Sequence, residues 1–489
     1  MSADLKTQIA GYGKQMLDAA PPITETELNT VLDLEIGPPA VRSRTRRLGP
    51  WVAVSAAAVT LVLFGLVALF VSGDEPPADT DSYTWSRVHD EAVLGDNVPF
   101  TRGMGDVTVG GPGLVAVGQG DAGAAVWTSV DGITWSRVPH DDAVFGGANT
   151  MWSVTRGGPG LVAVGGGAGP EHERDDGDAA VWTSVDGITW SRVPHDDAVF
   201  GGERQQQMVS VISVGPGLVA VGWDTSGGTP DAAVWTSVDG FTWSRVTHNE
   251  AVFGGEGEQM MNSVTVGGPG LVAVGSAGFA VDKSQLADYD DFIGVAAVWT
   301  SIDGLTWSRV PDNDAVFGGE GNQWMNDVTS VGAGLVAVGG DWSSAAHHAA
   351  VWTSVDGITW SRVPTNDTVF GGAEHDQLML SVTSTGSGLA AVGRAWGQSG
   401  GDHSQGSDDS AASVWTSEDG ITWAWLGYDE AIFGSEDNSG YLLTEGPVFT
   451  EYRQFMTSVT VTDTGIVAVG ADWSGPSHGA AVWVAVPED

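Results

Sequence analysis

Ala124-Ala-Val-Trp-Thr-Ser-Val-Asp-Gly-Ile-Thr-Trp-Ser-Arg-Val138 decides the fold, because the chain writes it again with small changes until it ends. It reads as two β-strands joined by a tight turn, in which the Asp side chain bonds backbone amides and Gly takes a positive φ. The core Trp-Thr-Ser-x-Asp-Gly-x-Thr-Trp occurs six times, ending at Trp135, Trp190, Trp243, Trp307, Trp360 and Trp423. A repeat of several tens of residues sets the fold class ahead of local propensity.

Two shorter apolar runs precede each copy. One has the form Met-x-Ser/Asp-Val, as in Met261-Asn-Ser-Val-Thr265, and the other is Gly-Leu-Val-Ala-Val-Gly, as in 270–275. Both are Val-rich and bounded by Gly or Pro, which marks strands. Each unit is therefore four strands, A to D, the make-up of a propeller blade. Strand C carries Trp127, Trp182, Trp235, Trp299, Trp352, Trp415 and Trp483, which counts seven A-B-C sets. The last set has no D strand after it, while Tyr83-Thr-Trp-Ser-Arg-Val88 is a D strand with no set before it. Joining the two makes a seventh blade and removes the open edge. The expected fold is an all-β, seven-bladed propeller closed by an N-terminal outer strand.

The Ser-x-Asp-Gly-x-Thr-Trp element resembles the Asp-box (BNR) repeat of sialidase-like propellers, shortened by one residue. The resemblance covers residues 83 to 484. It implies that Asp131, Asp186, Asp239, Asp303, Asp356 and Asp419 are structural turn residues remote from any active site. Sialidases of this family clamp a substrate carboxylate with three arginines, one from an early Phe/Tyr-Arg-Ile-Pro motif, and use a Tyr nucleophile paired with Glu. That motif is absent, and six of the 12 arginines after residue 82 belong to the repeated strand D. Glu451-Tyr452-Arg453 is the one cluster offering a carboxylate, a phenol and a guanidinium together. A glycoside hydrolase is thus the least favoured reading, and a binding role is expected over catalysis.

The 489 residues contain no Cys, 71 Gly and 22 Trp, with a net charge of -43. Residues 1–50 are balanced, so all of that charge falls on the rest of the chain, which repels nucleic acid. A domain outside the cell without disulfides points to a bacterial or archaeal exterior. Residues 51–72 run without a charge, long enough for a transmembrane helix. Arg42, Arg44, Arg46 and Arg47 stand before this run and Asp74, Glu75 and Asp79 after it, so residues 1–50 are expected in the cytoplasm and the propeller outside the cell. Residues 3–18 and 24–28 have partial helical patterning, 73–82 read as a polar stalk, and 83–489 as the propeller. Residues 1–47 are either a tether or a docking segment for a cytoplasmic partner, which would make the protein a transmembrane sensor.

Strand direction alternates within a blade, so the B–C loops and D-to-A links share one face, and the A–B and C–D turns share the other. The loop face holds nearly all the length variation, in 167–178, 276–294 and 394–410. Trp223, Trp342, Trp396 and Trp473 stand just after strand B and are suited to stacking on sugar rings or a protein partner. Gln206, Gln259, Gln323, Gln377 and Gln454 precede the strand-A Met by two residues and are expected to ring the channel mouth, either tying the links or touching a ligand. The repeated Ala-Val-Phe of the D-to-A link is expected to plug the gap between blades. No cofactor motif is present. Asp288, Asp290 and Asp291 are close enough to share Ca²⁺, without the spacing of a dedicated calcium loop. The expected partner is an envelope glycan or protein.

Overall fold

The computed structural model describes residues 83–88, 91–96, 103–168, 177–202, 204–255, 257–280, 292–319, 321–342, 347–372, 375–397, 410–427, 430–433, 454–473 and 478–487. The expected N-terminal helices, membrane span and stalk lie outside these residues, as do Glu451-Tyr452-Arg453 and Asp288, Asp290 and Asp291. Among the described residues no helix is long and apolar enough to cross a membrane.

Seven antiparallel sheets follow one another along the chain. Blade 1 consists of strands A to D at Gly103–Gly110, Gly113–Gly120, Gly123–Ser129 and Trp135–Arg137. Blades 2 to 6 repeat it over 148–192, 206–245, 258–309, 322–362 and 375–425. Blade 7 joins Gln454–Thr462, Gly465–Asp472 and His478–Pro487 to Tyr83–Val88 as its outer strand, with Trp85 opposite Ala485 and Arg87 opposite Trp483. A two-residue strand, Gly95–Asp96, adds a second pairing at Gly479 and His478. Tyr83 stands opposite Pro487, so the chain enters the ring on the turn face.

The apolar runs of strands B and C are continuous because blades stack face to face, burying both sides of these strands. Val115, Val117 and Val126 of blade 1 pack on Met151, Val154, Leu161, Trp182 and Trp190 of blade 2. The same core recurs at every seam, and the seam between blades 7 and 1 brings Val467 and Val482 against Met104 and Trp127. The plug between blades is one turn of helix, as at Asp142–Phe145, where the Asp141 side chain caps Ala143 N at 2.9 Å. Phe145 is buried, and the carbonyl of Val144 accepts the indole N–H of Trp182 in the next blade at 2.7 Å. Trp235, Trp299, Trp352, Trp415 and Trp483 repeat that bond across their own seams.

The last Gly of the strand-B run is required by a close approach. A Cβ on Gly222 would lie 1.9 Å from the carbonyl oxygen of Gln207, and one on Gly275 1.9 Å from that of Met260. There strand A bulges by one residue directly after its Met, in all seven blades. The bulge re-aims the side chain two residues past the Met toward the neighbouring blade. Ser153 Oγ accepts from Val211 N at 3.2 Å, Ser458 Oγ from Val107 N at 3.4 Å, and Asp106 Oδ2 from Val154 N at 2.8 Å. The result is a polar belt lacing the innermost strands together. Asp106 and Asp327 take four hydrogen bonds each within it. Burial still pushes both carboxyls above their ordinary range, against the pull of those bonds.

Candidate functional site

The turn face is built from the Ser-x-Asp-Gly-x-Thr-Trp turns. Asp131 Oδ1 accepts from Ile133 N at 2.9 Å and Thr134 N at 2.6 Å, and Ser129 Oγ accepts from Gly132 N at 2.9 Å. Gly132 has φ 78°, and its carbonyl accepts the indole N–H of Trp135 at 2.8 Å. Asp186, Asp239, Asp303, Asp356 and Asp419 repeat the arrangement. The amides of Thr134 and Ile133 hold the Asp131 carboxyl below its ordinary range, and those of Thr189 and Ile188 do so for Asp186. These carboxylates are fully engaged in their own turns.

The six strand-D arginines are engaged as well. Arg245, Arg309 and Arg362 lie 5.6, 5.0 and 5.5 Å above the rings of Trp235, Trp299 and Trp352. Arg87, Arg245 and Arg362 pair with Asp472, Asp224 and Asp341 at the end of strand B. The glutamines belong to the same layer. Gln206, Gln259, Gln323, Gln377 and Gln454 are 1 to 4% exposed. Gln206 Nε2 donates to Gly201 O, tying a link. Gln323 and Gln454 donate to Asp341 and Asp472 at 3.0 and 3.1 Å, and Gln259 accepts from Arg309 at 2.7 Å. The amides expected at the channel mouth therefore lie beneath the surface, occupied with protein partners.

The four tryptophans sit closer to the scaffold than the spacing suggests. Trp223, Trp342 and Trp396 are within strand B (Gly217–Asp224, Gly334–Trp342 and Leu389–Gly397), and Trp473 directly follows Gly465–Asp472. Strand pairing also extends to Ala280 and resumes at Phe292, which shortens the expected 276–294 loop. All four rings are half-buried.

Only between blades 5 and 6 do the described residues gather such rings into a cluster. Trp342 stacks on His347 with centroids 4.3 Å apart and planes at 23°, and meets Trp324 edge-on at 4.9 Å. The His347 ring is 6.0 Å from that of Trp396, over which the Arg394 guanidinium lies at 4.8 Å. Asp376, 1% exposed, accepts the His347 backbone N–H at 2.8 Å and stands 3.4 Å from its Nδ1. The Trp342 Nε1 is buried and has no hydrogen-bond partner among the described residues. Half-buried aromatic faces thus converge on the loop face above a buried carboxylate. Trp473 has a simpler neighbour in Phe455, edge-on at 5.1 Å, and Trp223 has no ring partner among the described residues.

Trp324 and His347 escaped the sequence reading. Trp324 stands between Gln323 and Met325, where the other blades place unlike residues, and His347 lies outside any repeated pattern.

No protein-family model and no curated protein sequence matches the chain. Among solved structures, a Trypanosoma rangeli sialidase in complex with sialic acid aligns at 13% identity over 82% of this chain and 58% of its own, with a TM-score of 0.41. The WD40 repeats of RRP9 align at 10% identity over 83% and 100%, with a TM-score of 0.44. A Bombyx mori GH32 beta-fructofuranosidase mutant in complex with sucrose aligns at 12% identity over 54% and 56%, with a TM-score of 0.32. The chain therefore spans little more than half the length of that fructofuranosidase and of the sialidase.

Proposed function

We propose that the protein is a propeller held at the cell membrane by residues 51–72, whose loop face binds an uncharged glycan of the envelope, with Trp342 and Trp396 as stacking platforms. The observation that carries this reading is the cluster of Trp324, Trp342, His347 and Trp396 beside Asp376 and Arg394. The half-buried aromatic faces receive the apolar side of a sugar ring, and the buried Asp376 holds His347 in place beneath them. A glycan without charge is favoured over an acidic one, because the strand-D arginines are engaged in their own blades and the chain carries a large negative charge. Trp223 and Trp473 extend the platform to blades 3 and 7, and the buried glutamines support it from below. The turns of the opposite face act as shortened Asp boxes.

The test is a glycan array probed with residues 76–489, comparing wild type with the Trp342→Ala/Trp396→Ala double variant and with Trp223→Ala/Trp473→Ala. Binding to neutral glycans that the first variant loses, and the second only weakens, supports the reading. A blank array with folded wild type refutes it and favours a protein partner.

A further inference from the structure

Blade 3 carries a second constellation, which does not depend on the glycan reading. Asp231 opens strand C (Asp231–Ser237), and His248 and Glu250 lie on the D-to-A link. The Nε2 of His248 is 3.9 Å from Asp231 Oδ2 and 3.1 Å from Glu250 Oε2, and one ligand atom from each residue falls within 4.8 Å of the others. A tetrahedral Zn²⁺ with bonds of about 2.0–2.1 Å sets its ligand atoms about 3.3 Å apart, so small side-chain rotations close this triangle on an ion. The ring of His248 rests against Phe253 at 6.3 Å, which fixes its direction, while Glu250 is 73% exposed and leaves the site open to solvent.

The repeat keeps the residue types but not the triangle. In blade 2, Asp178, His195 and Asp197 occupy the equivalent positions, with His195 Nε2 3.6 Å from Asp178 Oδ2 and 2.8 Å from Asp197 Oδ1, but among the described residues only the blade 3 trio brings one ligand atom from each residue within 4.8 Å of the others. Blade 1 keeps the pair His140 and Asp142 at 2.9 Å but has Gly123 at the head of strand C, so it lacks the third ligand.

We propose that Asp231, His248 and Glu250 bind a borderline divalent transition ion of the Zn²⁺ class, stapling the D-to-A link of blade 3 to the head of its strand C. One imidazole with two carboxylates suits Zn²⁺ or Co²⁺, with water completing the shell, whereas Ca²⁺ requires six to eight oxygens.

The experiment is calorimetric titration of the untagged full-length chain with Zn²⁺, and separately with Ca²⁺, for wild type, His248→Asn, His195→Asn and both together. Cobalt spectra supply an independent readout on unaltered protein. The expected result is one Zn²⁺ equivalent that His248→Asn and the double variant lose and His195→Asn keeps, a more than about tenfold preference over Ca²⁺, and a visible Co²⁺ band of four-coordinate intensity. Unfolding midpoints without metal should match across variants, since both histidines are more than a third exposed. Equal Zn²⁺ binding by wild type and double variant, absence of Zn²⁺ binding at millimolar metal, or equal affinity for Ca²⁺ would each overturn the proposal.

Discussion

Six of the seven blades satisfy their strand-D indole and one does not, which gives a sharp test of how the ring closes. Trp135, Trp190, Trp243, Trp307, Trp360 and Trp423 each donate Nε1 to the turn Gly carbonyl at 2.8 to 3.0 Å. Blade 7 has no C–D turn, because its strands C and D come from opposite ends of the chain, and the buried Trp85 Nε1 has no partner among the described residues. The two substitutions Trp135→Phe and Trp85→Phe remove similar volume from similar cores. Trp135→Phe also breaks a bond and strands the Gly132 carbonyl, whereas Trp85→Phe deletes a buried donor that already lacked a partner. An unmet buried polar group costs about 1–3 kcal/mol, so Trp85→Phe should be milder by about that amount. Hydrogen exchange reads the difference locally. Protection of peptides from His478–Pro487 in Trp85→Phe should fall by a factor roughly 5 to 150 smaller than protection of peptides from Gly123–Ser129 in Trp135→Phe. Equal losses at the two sites, or a larger loss in blade 7, would refute the claim that closure leaves an indole unsatisfied.

Four further outcomes follow from the same geometry. Gly222→Ala sets a Cβ against a backbone oxygen and should cost about 3 kcal/mol or more in urea unfolding, while Gly227→Ala, whose Cβ meets Asp231 Oδ2 at an ordinary 3.4 Å, should be close to neutral. In the polar belt, Asp106→Ala strands Val154 N and should cost about 1–3 kcal/mol, whereas Asp106→Ser, the residue most blades use there, should restore most of it. Asp131 and Asp186 have folded pKa values below the ordinary 3.8, so the stability they contribute is present above 3.8 and lost as pH falls through their lowered values. Asp106 and Asp327 have raised values, so their contribution is present below 3.8 and lost as pH rises through them; Asp131→Asn should flatten the acid limb of the urea midpoint, and Asp106→Ser the limb above it. Arg362→Ala should lower stability by about 1–3 kcal/mol with glycan binding intact, and Arg394→Ala should do the reverse, as read by unfolding and array binding in parallel.

The seven blades and their closure were legible because every seam is made by the same residues in the same register, so strand D at Tyr83–Val88 declared itself by its Thr-Trp-Ser-Arg-Val run. The polar belt was not legible. Outside blade 1, where Gly105 follows Met104, the one-residue bulge after Met carries no Gly or Pro to mark it, and without it the Ser or Asp two residues on belongs to the wrong side of the strand. The available signal was the appearance of Asp106 and Asp327 at a position that is Ser in the other five blades. At the loop face the spacing of Trp342 and Trp396 pointed to the right strands. It could not bring in Trp324 or His347, whose approach depends on Gly340 leaving the space beside the Trp324 ring open: a Cβ on Gly340 would lie 2.7 Å from that ring.

Blade 6 shows how a repeat frees residues for a site. In blades 3, 5 and 7 an Asp two residues after the strand-B Gly pairs with the strand-D Arg, which lies over the strand-C Trp. In blade 6 both partners change together, the Asp to Ala395 and the Arg to Trp425, which now stands opposite Trp415. Its guanidinium appears instead at Arg394, one position earlier on strand B, above Trp396. Moving one residue along a strand crosses the sheet, so the charge leaves the layer that braces the blade and joins the aromatic cluster. The bracing of the blade explains the pairing in blades 3, 5 and 7 but not the move of the guanidinium in blade 6. The binding site proposed at the seam of blades 5 and 6 gives this move a reason, because there the Arg394 cation stands beside the cluster of Trp342, His347 and Trp396.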